Sequence, residues 1–247
     1  MATGEGADAR TIVFNESKQE VCTLKSGFRQ LQRRLKTTGG GNTYRCQPSK
    51  DEITLESLRG ADIAVFGGPR DRFTNAEFDA IKQYINEENG SVLLMLGEGG
   101  EPHFNKKNVN YLLEEYGITV NPDSVVRTVY YKYLHPKEVY VSTGVVNAEI
   151  NRVAAAGQKK EGQGGTPPQL AFVYPYGATM TVQKPAVPVL SSGYISFPLN
   201  RPVAAMYSSK TGNGRLCVIG STHIFEDKWL DKEDNAKQGR GRGTWRE

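Results

Sequence analysis

The first half of the chain alternates short apolar runs with longer amphipathic stretches. The runs read as strands and are Thr11–Asn15, Ala61–Phe66 and Ser91–Leu96. Uninterrupted apolar runs of this length are typical of strands buried on both faces of a parallel sheet. The stretches between them, such as Lys25–Lys36, space their apolar residues as a helix does. This alternation indicates βαβ units, so we predict a Rossmann-like α/β domain over residues 11–153, with helices on both faces of a mostly parallel sheet.

One helix start has a clear local signal. Thr74 and Glu77 stand three residues apart in the order of a capping box, in which each side chain bonds the backbone of the other. An apolar stripe at helical spacing follows, formed by Phe78, Ile81, Tyr84 and Ile85. We therefore predict a helix that begins at this box and stops near Gly90.

The second half is richer in strands. Residues 154–168 are small and polar, which predicts a linker or an exposed loop. Short apolar runs follow at Leu170–Tyr174, Ala178–Val182, Val203–Tyr207 and Arg215–Ile219. They predict that residues 169–236 either return to the sheet or form a strand-rich subdomain. Residues 1–10 are predicted to be a flexible leader, and residues 237–247 a flexible basic tail.

Composition and charge exclude several classes of function. Of the net charge of +4 over 247 residues, +3 lies between Lys237 and Glu247, so the body has no basic field for nucleic acid. The longest aliphatic run, Val92–Leu96, is far too short to enter a bilayer. Three cysteines without a Cys-x-x-Cys pair fit a reducing compartment. The three histidines are far apart, and no metal site is predicted.

A ligand crevice is predicted at the carboxyl ends of the strands, where open α/β sheets bind their ligands. The candidate lining residues are Asn15, Glu16, Gly67, Gly68, Gly97, Glu98 and Gly99.

Common chemistries of such a crevice lack their residues here. The glycines after residue 96 begin a dinucleotide motif, but Pro102 holds the third glycine position, and acids stand where phosphates would bind. No Ser or Cys occurs at the turn after Ser91–Leu96, where a nucleophile elbow would place it. Glu98 with Glu101 could serve acid–base chemistry, although acids also gather at helix N-termini for electrostatic reasons. We predict no cofactor and no catalytic residue.

Several long segments carry a family resemblance. They read FNESKQE, ADIAVFGGPRDRFTNAEFDAIKQYI, SVLLMLGEGGE, NVNYLLEEYGI and GSTHIFEDKWLDKEDN, in that order along the chain. Together they cover most of residues 11–236, and the sequence resembles the intraflagellar transport protein 52 family.

The resemblance implies a Rossmann-like domain of the type shared with gliding-motility proteins and, distantly, with class I glutamine amidotransferases. It also implies a non-catalytic scaffolding subunit of the ciliary transport complex B. Such a subunit works in the cilium or flagellum, the basal body region and the cytoplasm. The amidotransferase cysteine would stand near Gly97–Glu98, where this sequence has none. The resemblance implies as partners other subunits of complex B, with the main contacts downstream of this sequence.

Two functional hypotheses remain open. In the first, the chain is an interaction module, and Tyr130, Tyr131 and Tyr133 are candidates for its partner surface. In the second, the predicted crevice binds a small ligand such as a carbohydrate; this rests on fold analogy, which does not determine function.

Overall fold

The computed structural model describes residues 10–37, 44–99, 106–129, 132–148, 150–151 and 170–238. The helices are α1 (Arg29–Thr37), α2 (Leu55–Arg59), α3 (Asn75–Asn86), α4 (Lys106–Glu115), α5 (Asn235–Gln238) and a 3₁₀ turn, η1 (His223–Phe225). The strands of the first half are β1 (Arg10–Asn15), β2 (Tyr44–Ser49), β3 (Ile63–Gly67), β4 (Ser91–Met95), β5 (Ile118–Val120), β6 (Val126–Arg127) and β7 (Glu138–Val141). Those of the second half are β8 (Phe172–Pro175), β9 (Met180–Val182), β10 (Val187–Ser191), β11 (Ser196–Phe197), β12 (Pro202–Ser208) and β13 (Arg215–Ile219).

A seven-stranded sheet organises the described part of the chain, in the order β10-β12-β13-β4-β3-β1-β2. The five strands from β13 to β2 are parallel, while β12 runs antiparallel to both of its neighbours. The predicted mostly parallel α/β sheet is therefore confirmed. Strands from the second half return to this sheet, and β13 pairs directly with β4.

The sheet is buried on both faces, which explains its uninterrupted apolar strands. Successive residues of one strand enter different core clusters: Phe66 of β3 packs on one face, and Val65 on the other. In β4, Leu94 and Met95 divide in the same way. Helices α2, α3 and α4 cover the first face. The second face is covered by α1, η1 and the antiparallel β7–β8 pair.

Local signals placed α3 correctly and α1 less well. The capping box at Thr74 is present, with Glu77 N–H donating to Thr74 Oγ1 at 3.3 Å and Glu77 Oε2 accepting from Thr74 N–H at 2.7 Å. The predicted start of α1 at Lys25 is wrong, because the backbone turns first. Gly27 takes φ +92°, and the helix begins at Arg29.

Several strands lay outside the sequence prediction. They are β6, β7, β10 and β11. Pro188 interrupts the pattern of β10, and the structure places this strand at the sheet edge, where a missing N–H is tolerated. Strand β5 pairs with β9 outside the large sheet.

Candidate functional site

The predicted crevice residues do come to one edge of the sheet. Asn15 and Gly67 end the parallel neighbours β1 and β3, and Gly97 follows β4. The turn after β13, which contains Thr222 and His223, lies at the same edge because β13 is parallel to β4. These residues therefore lie together at the carboxyl ends of the parallel strands, and ligand binding at this edge stays a prediction.

At the end of β1, the side chains of Asn15, Ser17 and Glu20 form hydrogen bonds within the segment that follows the strand. The buried Asn15 amide donates to Glu20 Oε1, and Lys18 N–H donates to Glu20 Oε2 at 3.0 Å. Ser17 Oγ donates to Asn15 Oδ1 at 3.1 Å. Burial raises the pKa of the Glu20 carboxyl above its usual value, although these hydrogen bonds oppose the shift. Glu16 donates its backbone N–H to Ser49 O at 2.7 Å.

The glycines after β3 make room for the protein's own backbone. Val21 and Cys22 donate their N–H groups to the carbonyls of Gly68 and Gly67, each at 3.0 Å. Gly68 has φ +77°, and a Cβ there would lie 2.8 Å from Thr222 Oγ1. Loop 20–22 thus lies directly over this end of the sheet, in the space where a ligand's phosphate would approach a glycine-rich turn.

The backbone of Pro122 and Asp123 packs closely on the turn after β4. Gly99 donates its N–H to Asp123 O at 2.6 Å, and a Cβ at Gly99 would overlap the backbone of Pro122 and Asp123. The buried Glu98 carboxylate accepts from Ser124 Oγ at 2.9 Å and lies 2.5 Å from Lys137 Nζ. Glu101, its predicted acid–base partner, lies outside the described residues.

The structure contains a polar cluster beside Glu98 that the sequence analysis did not predict. His223 Nδ1 lies 2.5 Å from Glu226 Oε2, and this hydrogen bond lowers the pKa of Glu226. The Tyr176 ring stands edge-on to His223, with ring centroids 5.6 Å apart, and lies 5.0 Å from the ring of His135. Tyr176 has φ +47°, which is rare for an aromatic residue, and its hydroxyl donates to Glu138 Oε1 at 3.1 Å.

Only part of this cluster has a signal in the sequence. His223 and Glu226 are three residues apart after an apolar strand, so their contact could have been anticipated. Tyr176, His135 and Glu138 come from separate segments, and no local pattern joins them.

The cluster has a histidine–carboxylate pair, but among the described residues no hydroxyl or thiol is hydrogen-bonded to that histidine. Thr222 Oγ1 donates to Leu96 O at 2.8 Å, and Ser221 Oγ donates to Pro175 O, so both neighbouring hydroxyls point at backbone carbonyls. Nucleophilic catalysis requires a hydroxyl or thiol hydrogen-bonded to its base. Within the described residues, no such hydrogen bond to His223 is found.

The thiols are not poised for reaction either. Burial raises the pKa of Cys22 to about 12. Desolvation does the same for Cys217 in β13, and it also raises the pKa of Cys46. Because the thiolate is the reactive form, all three thiols stay protonated near neutral pH.

The described residues contain neither a candidate metal site nor a candidate membrane-spanning helix. No group of three or more His, Cys, Asp or Glu side chains could hold a metal ion in the described ranges. No helix in that part of the chain has the length and apolar content needed to cross a bilayer.

The predicted tyrosine surface is described only in part. Tyr130 and Tyr131 lie outside the described residues. Tyr133 is half-buried: its hydroxyl donates to Glu233 Oε1 at 2.8 Å, and its ring meets that of Trp229 edge-on at 5.9 Å. Its role in binding a partner remains a prediction.

Comparison with known proteins gives consistent matches. A family model described as the IFT52 GIFT domain matches residues 11–239. The chain is 51% identical over 232 residues to intraflagellar transport protein 52 homolog of Mus musculus and 49% identical over 231 residues to that of Homo sapiens. These alignments cover 92% of this chain but only 53% and 51% of the relatives, so the chain spans about half of their length.

A solved structure agrees with the sequence matches. The "mmIFT52 N-terminal domain" is 51% identical, has a TM-score of 0.80, and is matched over 92% of each chain. With the family model covering nearly all of the described fold, the chain belongs to the IFT52 GIFT domain family.

Proposed function

We propose that this chain is a non-catalytic interaction module of the intraflagellar transport machinery, acting in complex B to build and maintain cilia or flagella. The observation that carries this proposal is the family match over residues 11–239. The names of the mouse and human relatives supply the transport role. In this proposal the protein works in the cilium or flagellum, the basal body region and the cytoplasm.

The geometry at the end of β4 supports the non-catalytic part. The position after the strand, where a nucleophile elbow would expose Ser or Cys, holds Glu98. Its carboxylate is paired with Lys137 and hydrogen-bonded by Ser124. These contacts tie the β4 turn to the segment before β7 and give Glu98 a structural role.

The partners we propose are other subunits of complex B. Because the chain spans about half of its relatives, the remaining half offers room for most subunit contacts. Binding of a small ligand at the strand ends stays a prediction. The close packing of loop 20–22 and of Pro122 on the crevice glycines favours a structural role for that edge instead.

A chimera tests the transport role. This chain would replace the matching N-terminal half of the mouse relative in ciliated cells that lack their own copy. We expect the chimera to restore cilia and to copurify with transport subunits. A chimera that is folded and soluble but restores no cilia would contradict the proposal.

Glu98→Gln in the same chimera tests the absence of catalysis. The amide keeps a carbonyl oxygen for Ser124 and loses only the charge pair with Lys137. We expect cilium length to match that of the unsubstituted chimera. Loss of cilia with an unchanged thermal unfolding midpoint would show that the carboxylate has a chemical task.

A further inference from the structure

Exposed apolar side chains are concentrated on one small ribbon. Eight large apolar residues in the described part of the chain are exposed, and five of them flank the β6–β11 pair. We call these five the β6–β11 patch; they are Val129, Leu134, Tyr194, Phe197 and Leu199. Leu134 is 97% exposed and Phe197 is 61% exposed. Single exposed apolar residues are ordinary, but a group of them marks an interaction site.

Hydrogen bonds hold the segments of the patch together. Strands β6 and β11 are antiparallel, with Val126 opposite Phe197. Next to this pair, Thr128 Oγ1 donates to Ile195 O at 3.1 Å. The Arg127 guanidinium donates to Leu134 O at 2.9 Å, which ties that leucine to β6. Hydrogen bonds thus join the segment around β6 to the segment around β11, and the exposed apolar side chains of both lie on one connected surface.

The loop that carries Tyr194, Phe197 and Leu199 is already ordered. The fully buried Ser192 donates its hydroxyl to Pro198 O at 2.6 Å and accepts from Arg201 N–H at 3.0 Å. Further bonds close the loop, from Ser196 Oγ to Ser192 O at 2.6 Å and from Asn200 N–H to Gly193 O at 2.7 Å. A surface held in this way loses little conformational entropy when a partner binds.

The two segments that carry the patch contain cations, and acidic residues flank the first of them at Asp123 and Glu138. Residues 124–137 and 191–202 contain four cations, Arg127, Lys132, Lys137 and Arg201, and no Asp or Glu. Lys132 and Lys137 are paired within the chain, with Glu233 and Glu98. Arg201 is exposed, and among the described residues no ion pair is found for it. The patch therefore offers apolar contact together with Arg201, a nearby cation that forms no ion pair within the described part of the chain.

We propose that the β6–β11 patch docks a segment of a partner protein whose apolar side chains stand next to Asp or Glu. This inference rests on the proposed function and specifies its partner surface. Charge argues against a second copy of this chain, because a symmetric contact would bring two Arg201 side chains together. A membrane surface is disfavoured because Lys132 and Lys137 are already paired with Glu233 and Glu98, which leaves fewer than the four to eight clustered cations typical of anionic lipid recognition.

Site-specific photocrosslinking tests the docking surface. Phe197→p-benzoylphenylalanine keeps an aromatic side chain at the patch in the chimera described above. The same residue at Tyr111, which is 61% exposed on α4 away from the patch, is the matched control. In ciliated cells we expect crosslinks from position 197, but not from 111, to one peptide of another protein with an acidic residue beside apolar ones.

Charge reversal then tests recognition by Arg201. Arg201→Glu should lower the crosslink yield from position 197 about tenfold, as the loss of roughly 1.4 kcal/mol of binding free energy would. Replacing the acidic residue of the crosslinked peptide by Lys should restore the yield, because the two charges are exchanged.

Several outcomes would overturn the docking inference. The first is crosslinking to this chain itself, to a second copy or to lipid. The second is a crosslink yield from position 197 that does not exceed the yield from the Tyr111 control. The third is a crosslink yield that stays unchanged in Arg201→Glu. Copurification with transport subunits is measured in the same cells. If copurification persists while the crosslinks fail, only the docking inference is overturned; if the unsubstituted chimera also fails to copurify, the proposed function is wrong.

Discussion

Asn235 shows how much of this fold depends on one buried side chain. It is fully buried, and its amide nitrogen lies 3.1 Å from each of three carbonyls, those of Val173, Ile224 and Trp229. Its Oδ1 accepts from Val173 N–H at 2.9 Å. One amide thus joins β8, η1 and the turn that follows η1.

We expect Asn235→Ala to lower the free energy of unfolding by roughly 3 kcal/mol. The substitution leaves several buried backbone groups without partners, and each such group costs about 1–3 kcal/mol. Denaturant titration would measure the change. Asn75→Ala, at an exposed position in the first turn of α3, is the control and should shift stability far less. Equal effects of the two changes would mean that the Asn235 network relaxes or is replaced by water.

At the scale of a single element, the N-terminus of α3 combines two local contacts. Thr74 and Glu77 form the capping box, and Lys18 Nζ lies 2.7 Å from Glu77 Oε1. The pair is mostly shielded from solvent, with side chains 11% and 13% exposed. Glu77 of the capping box therefore also anchors, through Lys18, the loop that follows β1.

Thr74→Ala should destabilise the protein by about 1 kcal/mol, the usual effect of losing an N-cap hydrogen bond. Thr74→Ser keeps the accepting oxygen and should restore most of the loss. Thermal and denaturant unfolding of the three proteins would measure both effects. Destabilisation of the Ser variant as large as that of Ala would show that the methyl group of Thr74, rather than its oxygen, matters.

For the whole molecule, the position of β13 ties the two halves of the chain together. Five register pairs join β4 to β13, from Ser91↔Arg215 to Met95↔Ile219. Both core clusters draw residues from each half, such as Leu216 on one face and Val203 on the other. The division at residues 154–168 in sequence composition therefore does not separate two hydrophobic cores.

A fragment of residues 1–168 should fail to unfold cooperatively. Without β13 and β12, the central strand β4 becomes an edge strand, and both core clusters lose their second-half residues. Circular dichroism during heating would show this as a broad change, where the full chain gives one transition. Coexpressing residues 169–247 should restore the transition. A sharp transition of the fragment alone would support an independent N-terminal domain.

Sequence patterns predicted those elements whose formation depends on neighbouring residues, and they missed features that depend on contacts between distant segments. The β3, α3 and β4 predictions rest on apolar runs, a capping box and helical spacing, all of which operate within about ten residues. The positions of β10 and β13 depend on pairing between distant strands, which no local pattern specifies. The rule that ligands bind at strand ends led to Asn15 and Gly67, which do lie at one edge of the sheet. It gave no indication that loop 20–22 packs on the glycines at that edge.

The sequence by itself determined the fold class, the main strands of the parallel sheet and the lack of a nucleophile after β4. These follow from local burial patterns and from which residue stands at one position. Only the tertiary structure decided that Tyr176 meets His135 and His223, and that Val129 and Phe197 share one exposed ribbon. Such contacts join segments from 41 to 68 residues apart, and their energy arises only after the chain has folded.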